Sequence, residues 1–184
     1  MIFVFLVAVS IQCTDQSPTK SSLSANSLRN LVEKHPDLAA LIDGTIQDHS
    51  ALINLGPQKK TQFQDRANLL ISQYQNGASK ESDVKEFENL LDANGFSRKT
   101  MPAFVSLYNS LSKYNYKEDD LIKILNDKMV NEANLLNNHS SRTQLVDLSF
   151  LNSCGFKCFV AGAEQEGTYY RVFMTGCMIG CEFL

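Results

Sequence analysis

The strongest constraint on this chain is the placement of four cysteines near its C-terminal end. Cys154 and Cys158 stand four residues apart, as do Cys177 and Cys181, and the two pairs mirror each other about the bond between Gly167 and Thr168. A spacing of four puts both members of a pair on one helical face, a turn apart. A hairpin folding at Gly167-Thr168 then sets each cysteine opposite one partner. Glycine after one helix and threonine before the next are the residue types that such a turn requires as caps. Helix axes about 8 to 10 Å apart, each with a Cα radius of about 2.3 Å, leave a gap that a disulfide spans. The pattern therefore predicts nested bonds Cys154–Cys181 and Cys158–Cys177, each worth roughly 3 kcal/mol through loop entropy. A β-hairpin is the rival, because the same spacing also keeps cysteines on one face of a strand and Thr168-Tyr169-Tyr170-Arg171-Val172-Phe173 has strand character. The capping residues and the scarcity of β-branched side chains favour helices.

Disulfides need an oxidising compartment, and the opposite end of the chain supplies a route to one. Residues 2–9, Ile-Phe-Val-Phe-Leu-Val-Ala-Val, are unbroken apolar sequence followed by a polar segment from Thr14, the pattern of a signal peptide. The run is shorter than the roughly 20 apolar residues a membrane span needs. Cleavage after Cys13 removes the fifth cysteine and leaves an even set of four; cleavage after Ser10 would leave Cys13 free to pair between chains. Cleavage after Cys13 is the preferred reading, and with it a secreted, extracellular protein.

The doubled Cys-x-x-x-Cys arrangement from Cys154 to Cys181 resembles the α-hairpinins, small helix-turn-helix scaffolds with two nested disulfides. The resemblance covers about a sixth of the chain and rests on cysteine spacing; the eighteen residues between Cys158 and Cys177 make a long hairpin for that family. It implies a secreted binding, inhibitory or membrane-perturbing scaffold.

Between the two ends the apolar residues follow a helical period. Residues 14–26 are polar and serine-rich, a composition that buries too little to offset ordering entropy, and read as a flexible leader. From Ser27 a short helical turn runs to Lys34, and Pro36 suits a first helical position. Leu38, Leu41, Ile42, Ile46, Leu52 and Ile53 then share a face, and Gly56-Pro57 ends that helix. Phe63, Ala67, Leu70, Ile71 and Tyr74 mark the next, with Gly77 as cap. Val84, Phe87, Leu90 and Leu91 mark a third, closed by Gly95-Phe96. A fourth opens at Thr100 with Met101, Phe104, Val105, Tyr108 and Leu111. A fifth opens on Glu118-Asp119-Asp120 with Leu121, Ile122, Leu125, Met129 and Leu136. Short connections predict antiparallel sequential neighbours. The fold class is all-α: a bundle of about five short helices over 27–136, a linker over 137–147, and a disulfide-stapled hairpin over 148–184, after a signal peptide over 1–13 and the leader.

Chemistry-bearing motifs are sparse. His35, His49 and His139 lie far apart without a ligand-spaced partner, so they read as surface residues, and neither a metal nor another cofactor is expected. Four cysteines in an exported chain favour disulfides over metal binding. Asp92-Ala93-Asn94-Gly95 opens like a calcium loop, but its glycine falls two positions early and Ala103 stands where a bidentate Glu belongs. No Gly-x-Ser-x-Gly elbow accompanies the serines. Asn138-His139-Ser140 is a glycosylation acceptor. Gly176 and Gly180 are small residues four apart, read as letting the two hairpin helices approach. A net charge of -3 and the absence of Trp remove the electrostatic and stacking footprint of a nucleic-acid binder. The expectation is a secreted, non-enzymatic interaction protein contacting a protein partner or a lipid surface. The alternative is an extracellular carrier of small hydrophobic ligands in a cavity lined by Leu70, Phe87, Phe104 and Leu125.

Overall fold

The computed structural model describes residues 20–138, 153–165 and 169–181. Eight helices are present among them: α1 (Ala25–Glu33), α2 (Leu38–Asn54), α3 (Pro57–Gln75), α4 (Glu81–Ala93), α5 (Thr100–Leu111), α6 (Glu118–Asn138), α7 (Ser153–Ala163) and α8 (Tyr169–Gly180). The fold is all-α, and the C-terminal hairpin is helical. The signal peptide, most of the linker and the turn at Gly167-Thr168 lie outside the described residues.

Local sequence accounts for the helix ends. Ser24 caps α1, its Oγ accepting from the Ser27 backbone N–H at 3.2 Å. Gly56-Pro57 separates α2 from α3, with Pro57 in the first turn where its missing N–H costs nothing. α3 and α4 both close in a Schellman motif. Gly77 and Gly95 take φ of 65° and 87°, and the Phe96 N–H returns to the Leu91 carbonyl at 3.1 Å. Phe96 is thereby turned back into the core.

The leader expected over 14–26 ends earlier than its composition suggested. Ser21–Ser22 pair in parallel with Tyr114–Asn115, Leu23 packs against the core, and α1 opens at Ala25. Polar residues here are ordered by partners distant in sequence, which composition cannot register. Likewise α6 runs on through residues 137 and 138, which had been assigned to the linker. Pro36 lies in the turn before α2, two residues ahead of its first helical residue.

The packing order departs from a sequential bundle. α2 packs on α5 and α6, and α1 on α6, while α3 packs on α4 and on α8. The hairpin therefore closes the fold: α8 lies against α3 and α4, α7 against α5 and α6. Short loops favour sequential antiparallel neighbours only when no better apolar face is on offer, and here the hairpin offers one. Phe156, Phe159, Val172, Met174 and Met178 are all buried. The Phe104 ring meets Phe156 edge-on at 5.8 Å and Phe159 at 5.0 Å. Five buried side chains of this size remove enough apolar area, at about 25 cal/mol per Å2, to make the hairpin a main source of stability.

Two stripe assignments fail. Ile53 is 50% and Leu90 41% exposed, whereas Ile124 is buried. Each exposed residue sits beside a buried one, Ile53 after Leu52 and Leu90 before Leu91, so only one member of each adjacent apolar pair falls on the buried face.

Candidate functional site

Two places in the fold concentrate chemistry. One is the hairpin. Its helices are joined by Cys154–Cys181 and Cys158–Cys177, with Cα separations of 6.0 and 5.3 Å. The four sulfurs form one cluster: Cys158 Sγ lies 3.3 Å from Cys181 Sγ, across the two bonds. The Sγ atoms of Cys154, Cys158 and Cys181 all fall within 4.8 Å of one another, but each is committed to a disulfide. Cys154 is exposed, Cys177 and Cys181 are half-buried, and Cys158 is fully buried.

On the same hairpin Arg171 is only 4% exposed. Its guanidinium donates to Asp92 Oδ1 at 2.9 Å and lies 3.8 Å from Glu88 Oε1, so α8 is tied to α4 by charge as well as by apolar contact. Arg98 also donates to Asp92. Burial would push the Asp92 carboxyl up, but the bonds from Arg98 and Arg171 outweigh it and hold the group below the usual carboxylate range. The aspartate that begins the calcium-like tetrapeptide is thus an arginine clamp, and Asn94-Gly95 is a helix cap.

Gly176 and Gly180 do not face the other hairpin helix. A Cβ at 176 would come 2.8 Å from Ala67 Cβ on α3, and one at 180 would find Gln64 Oε1 of α3 at 3.7 Å. The small residues let α8 approach α3. Beside them, the first turns of α3 and the end of α8 frame an open groove of about 540 Å3, lined by Pro57, Lys60, Thr61, Gln64, Ile179 and Gly180.

The second place is the junction of α2 with α5. Asp48 is 1% exposed, and its two oxygens accept from the Ser97 backbone N–H and the Thr100 hydroxyl, both at 2.6 Å. Asp48 thus satisfies donors at the start of α5 from a different helix, a capping role that its own sequence neighbours do not fill. Burial pushes its carboxyl up to about 6, against the two hydrogen bonds and the more distant positive charge of Arg171. Gly44 makes this approach possible, since a Cβ there would lie 2.5 Å from Thr100 Oγ1.

The histidines separate. His49, expected on the surface, is buried at 7% exposure beside Asp48; it follows Thr45 and Asp48 on the face of α2 that Leu41, Ile42 and Leu52 also occupy. His35 is half-buried in the turn before α2, with its Nδ1 accepting from the Asp37 N–H at 3.3 Å, and His139 lies outside the described residues. Asn138 is the last residue of α6.

Sequence reasoning missed Asp48 and Arg171. The signal for Asp48 was its position on the helical face that Leu41, Ile42 and Leu52 mark as buried. For Arg171 it was a single charge within a long apolar stretch, where burial demands a partner. The side chains proposed to line a ligand cavity, Leu70, Phe87, Phe104 and Leu125, are all buried members of the core cluster. Among the described residues no helix is long and apolar enough to cross a membrane. Compared with known proteins, the chain matches no family model, no curated protein and no solved structure.

Proposed function

We propose that this chain acts outside the cell as a non-enzymatic interaction protein that presents a rigid helical surface to a protein partner. The observation that carries the reading is the position of both disulfides. They lock a hairpin on which α3, α4, α5 and α6 pack, so the crosslinks fix the element that four other helices share. Such bonds persist in oxidising compartments. The apolar start of the chain, read as a signal peptide over 1–13, and the acceptor Asn138 in Asn138-His139-Ser140 agree with an exported glycoprotein. The α-hairpinin resemblance points the same way, to a scaffold that binds. A protein partner is favoured over a lipid surface because the hairpin turns Phe156, Phe159, Val172, Met174 and Met178 into the core. Of the surface features, the groove between α3 and α8 is the place for a partner side chain to seat. The carrier reading lacks comparable support, since the residues it requires around a ligand are packed against one another.

Intact-mass analysis of the chain recovered from the medium of expressing eukaryotic cells tests the first half. The expected species lacks residues 1–13, has no free thiol and carries glycan at Asn138. Intracellular retention with Met1 in place and all five cysteines reduced overturns it. Displacement of a fluorescent fatty acid tests the second half: no saturable binding is expected, and one equivalent bound would install the carrier reading instead.

A further inference from the structure

We propose that the hairpin's sulfur cluster is a thiol–disulfide exchange site, entered at Cys154–Cys181 by a small external thiolate and relayed inward to Cys158–Cys177. Three observations support the relay. Cys154 is the exposed member of the quartet, so an external thiolate meets its Sγ first. In the other bond Cys158 is fully buried and Cys177 half-buried, so that disulfide is shielded relative to the exposed Cys154. Cys181 Sγ nevertheless stands 3.3 Å from Cys158 Sγ, within the roughly 3 to 3.5 Å separation of reacting atoms poised for attack.

The electrons balance without any further group. An external thiolate bonds to Cys154 Sγ, and the Cys154–Cys181 bond breaks with its electron pair left on Cys181. The Cys181 thiolate then bonds to Cys158 Sγ, the Cys158–Cys177 bond breaks, and the pair leaves on Cys177, which takes a proton from water. A second external thiolate attacks its own kind in the mixed disulfide at Cys154, freeing the Cys154 thiol and an oxidised external disulfide. Two thiols are oxidised and one protein disulfide is reduced. The surviving bond is Cys158–Cys181, a pairing absent from the starting structure, with Cys154 and Cys177 as thiols. The half-buried Cys177 thus becomes reactive although no reagent has touched its disulfide. A cluster of two remote disulfides could not do this, because each would open alone.

The test treats the folded exported chain, which begins at Thr14 and so lacks Cys13, with graded glutathione, quenches with acid, alkylates, and maps the bonds by peptide mass spectrometry. The one-disulfide species is expected to carry Cys158–Cys181 with alkyl groups on Cys154 and Cys177. In the double variant Cys154→Ser with Cys181→Ser, which keeps the inner bond but lacks the relay sulfur, loss of Cys158–Cys177 is expected to slow at least tenfold. The single variant Cys154→Ser, which holds Cys181 as a permanent thiol, is expected to show Cys158–Cys181 without any reductant. A wild-type one-disulfide species that keeps Cys158–Cys177 or Cys154–Cys181 overturns the proposal, as does reduction of both bonds without such a species.

Discussion

The hairpin and the α2–α5 junction are both deep in the molecule, yet they are held by opposite means. α7 and α8 are joined by two covalent bonds and by apolar side chains that face α3, α4, α5 and α6. α2 and α5 meet at a carboxylate, Asp48, that accepts two short hydrogen bonds where a glycine lets the helices close. A covalent tie is indifferent to pH and sensitive to reductant. The carboxylate tie is the reverse. The molecule therefore answers to reductant at the covalent ties of the hairpin and to pH at two carboxylates, Asp48 at the α2–α5 junction and Asp92 beside Arg171 of α8.

The largest effect is expected on the covalent side. Replacing Cys154 and Cys181 together by Ala opens a loop with a sequence separation of 27 residues and should cost about 3 kcal/mol. The inner pair, separated by 19 residues, should cost nearly as much, because loop entropy depends only on the logarithm of length. Urea unfolding at fixed pH measures both. If either pair can be removed at a cost below about 1 kcal/mol, apolar packing alone holds the hairpin and the contrast with the α2–α5 junction fails.

The second effect belongs to Asp48. Its folded pKa of about 6 lies above the ordinary 3.8, so the native state binds this proton more tightly than the unfolded chain does. Its favourable contribution is therefore complete below about pH 3.8 and is lost as pH rises through about 6. The full swing is about 3 kcal/mol from the size of the shift. Asp92 runs the other way: its lowered pKa gives stability that is present above the ordinary carboxylate range and lost on acidification. Comparing wild type with Asp48→Asn isolates the first term. The difference in unfolding free energy should grow in favour of the variant from pH 4 to pH 7.5. Asp48→Ala should destabilise by about 2 kcal/mol at pH 4, because the Ser97 N–H and Thr100 hydroxyl lose their acceptor. That cost should shrink toward pH 7.5 by the same swing, since alanine does not titrate either. A flat difference between wild type and Asp48→Asn across that range would remove the buried charge from the account.

These two ties also differ in how they can be read from residues. The helical hairpin and its pairing are legible because both cysteine pairs carry their geometry in one dimension, a repeat of four mirrored about a turn. Capping glycines are equally local: Gly77 and Gly95 announce the ends of α3 and α4 a few residues away. The Asp48 junction has no such record. Asp48 is separated from Ser97 and Thr100 by 49 and 52 residues, and nothing in either segment names the other. The same reason hid the pairing of Ser21–Ser22 with Tyr114–Asn115, and it misdirected the reading of packing order. Periodicity says which face of a helix is buried. It does not say against what, so the packing of α8 on α3 and α4 and of α7 on α5 and α6 is not written in the apolar period.

Gly176 and Gly180 offer the smallest and most discriminating test of that last point. If they served contact between α7 and α8, both would resist substitution near the disulfides. A Cβ at 176 instead meets Ala67 Cβ on α3 at 2.8 Å, while one at 180 has its nearest neighbour at 3.7 Å. Ala at either site gains about 1 kcal/mol of helix propensity over Gly. At 176 this gain is opposed by overpacking, which typically costs about 1 to 3 kcal/mol. Gly176→Ala should therefore destabilise by about 1 kcal/mol, and Gly180→Ala should be neutral or slightly stabilising. Ala67→Gly should relieve Gly176→Ala, so that the double variant is more stable than the sum of the two single changes. Such coupling between α3 and α8, read in unfolding curves with both disulfides intact, would place the hairpin inside the bundle by energetics as well as by geometry. Strict additivity would return it to the surface.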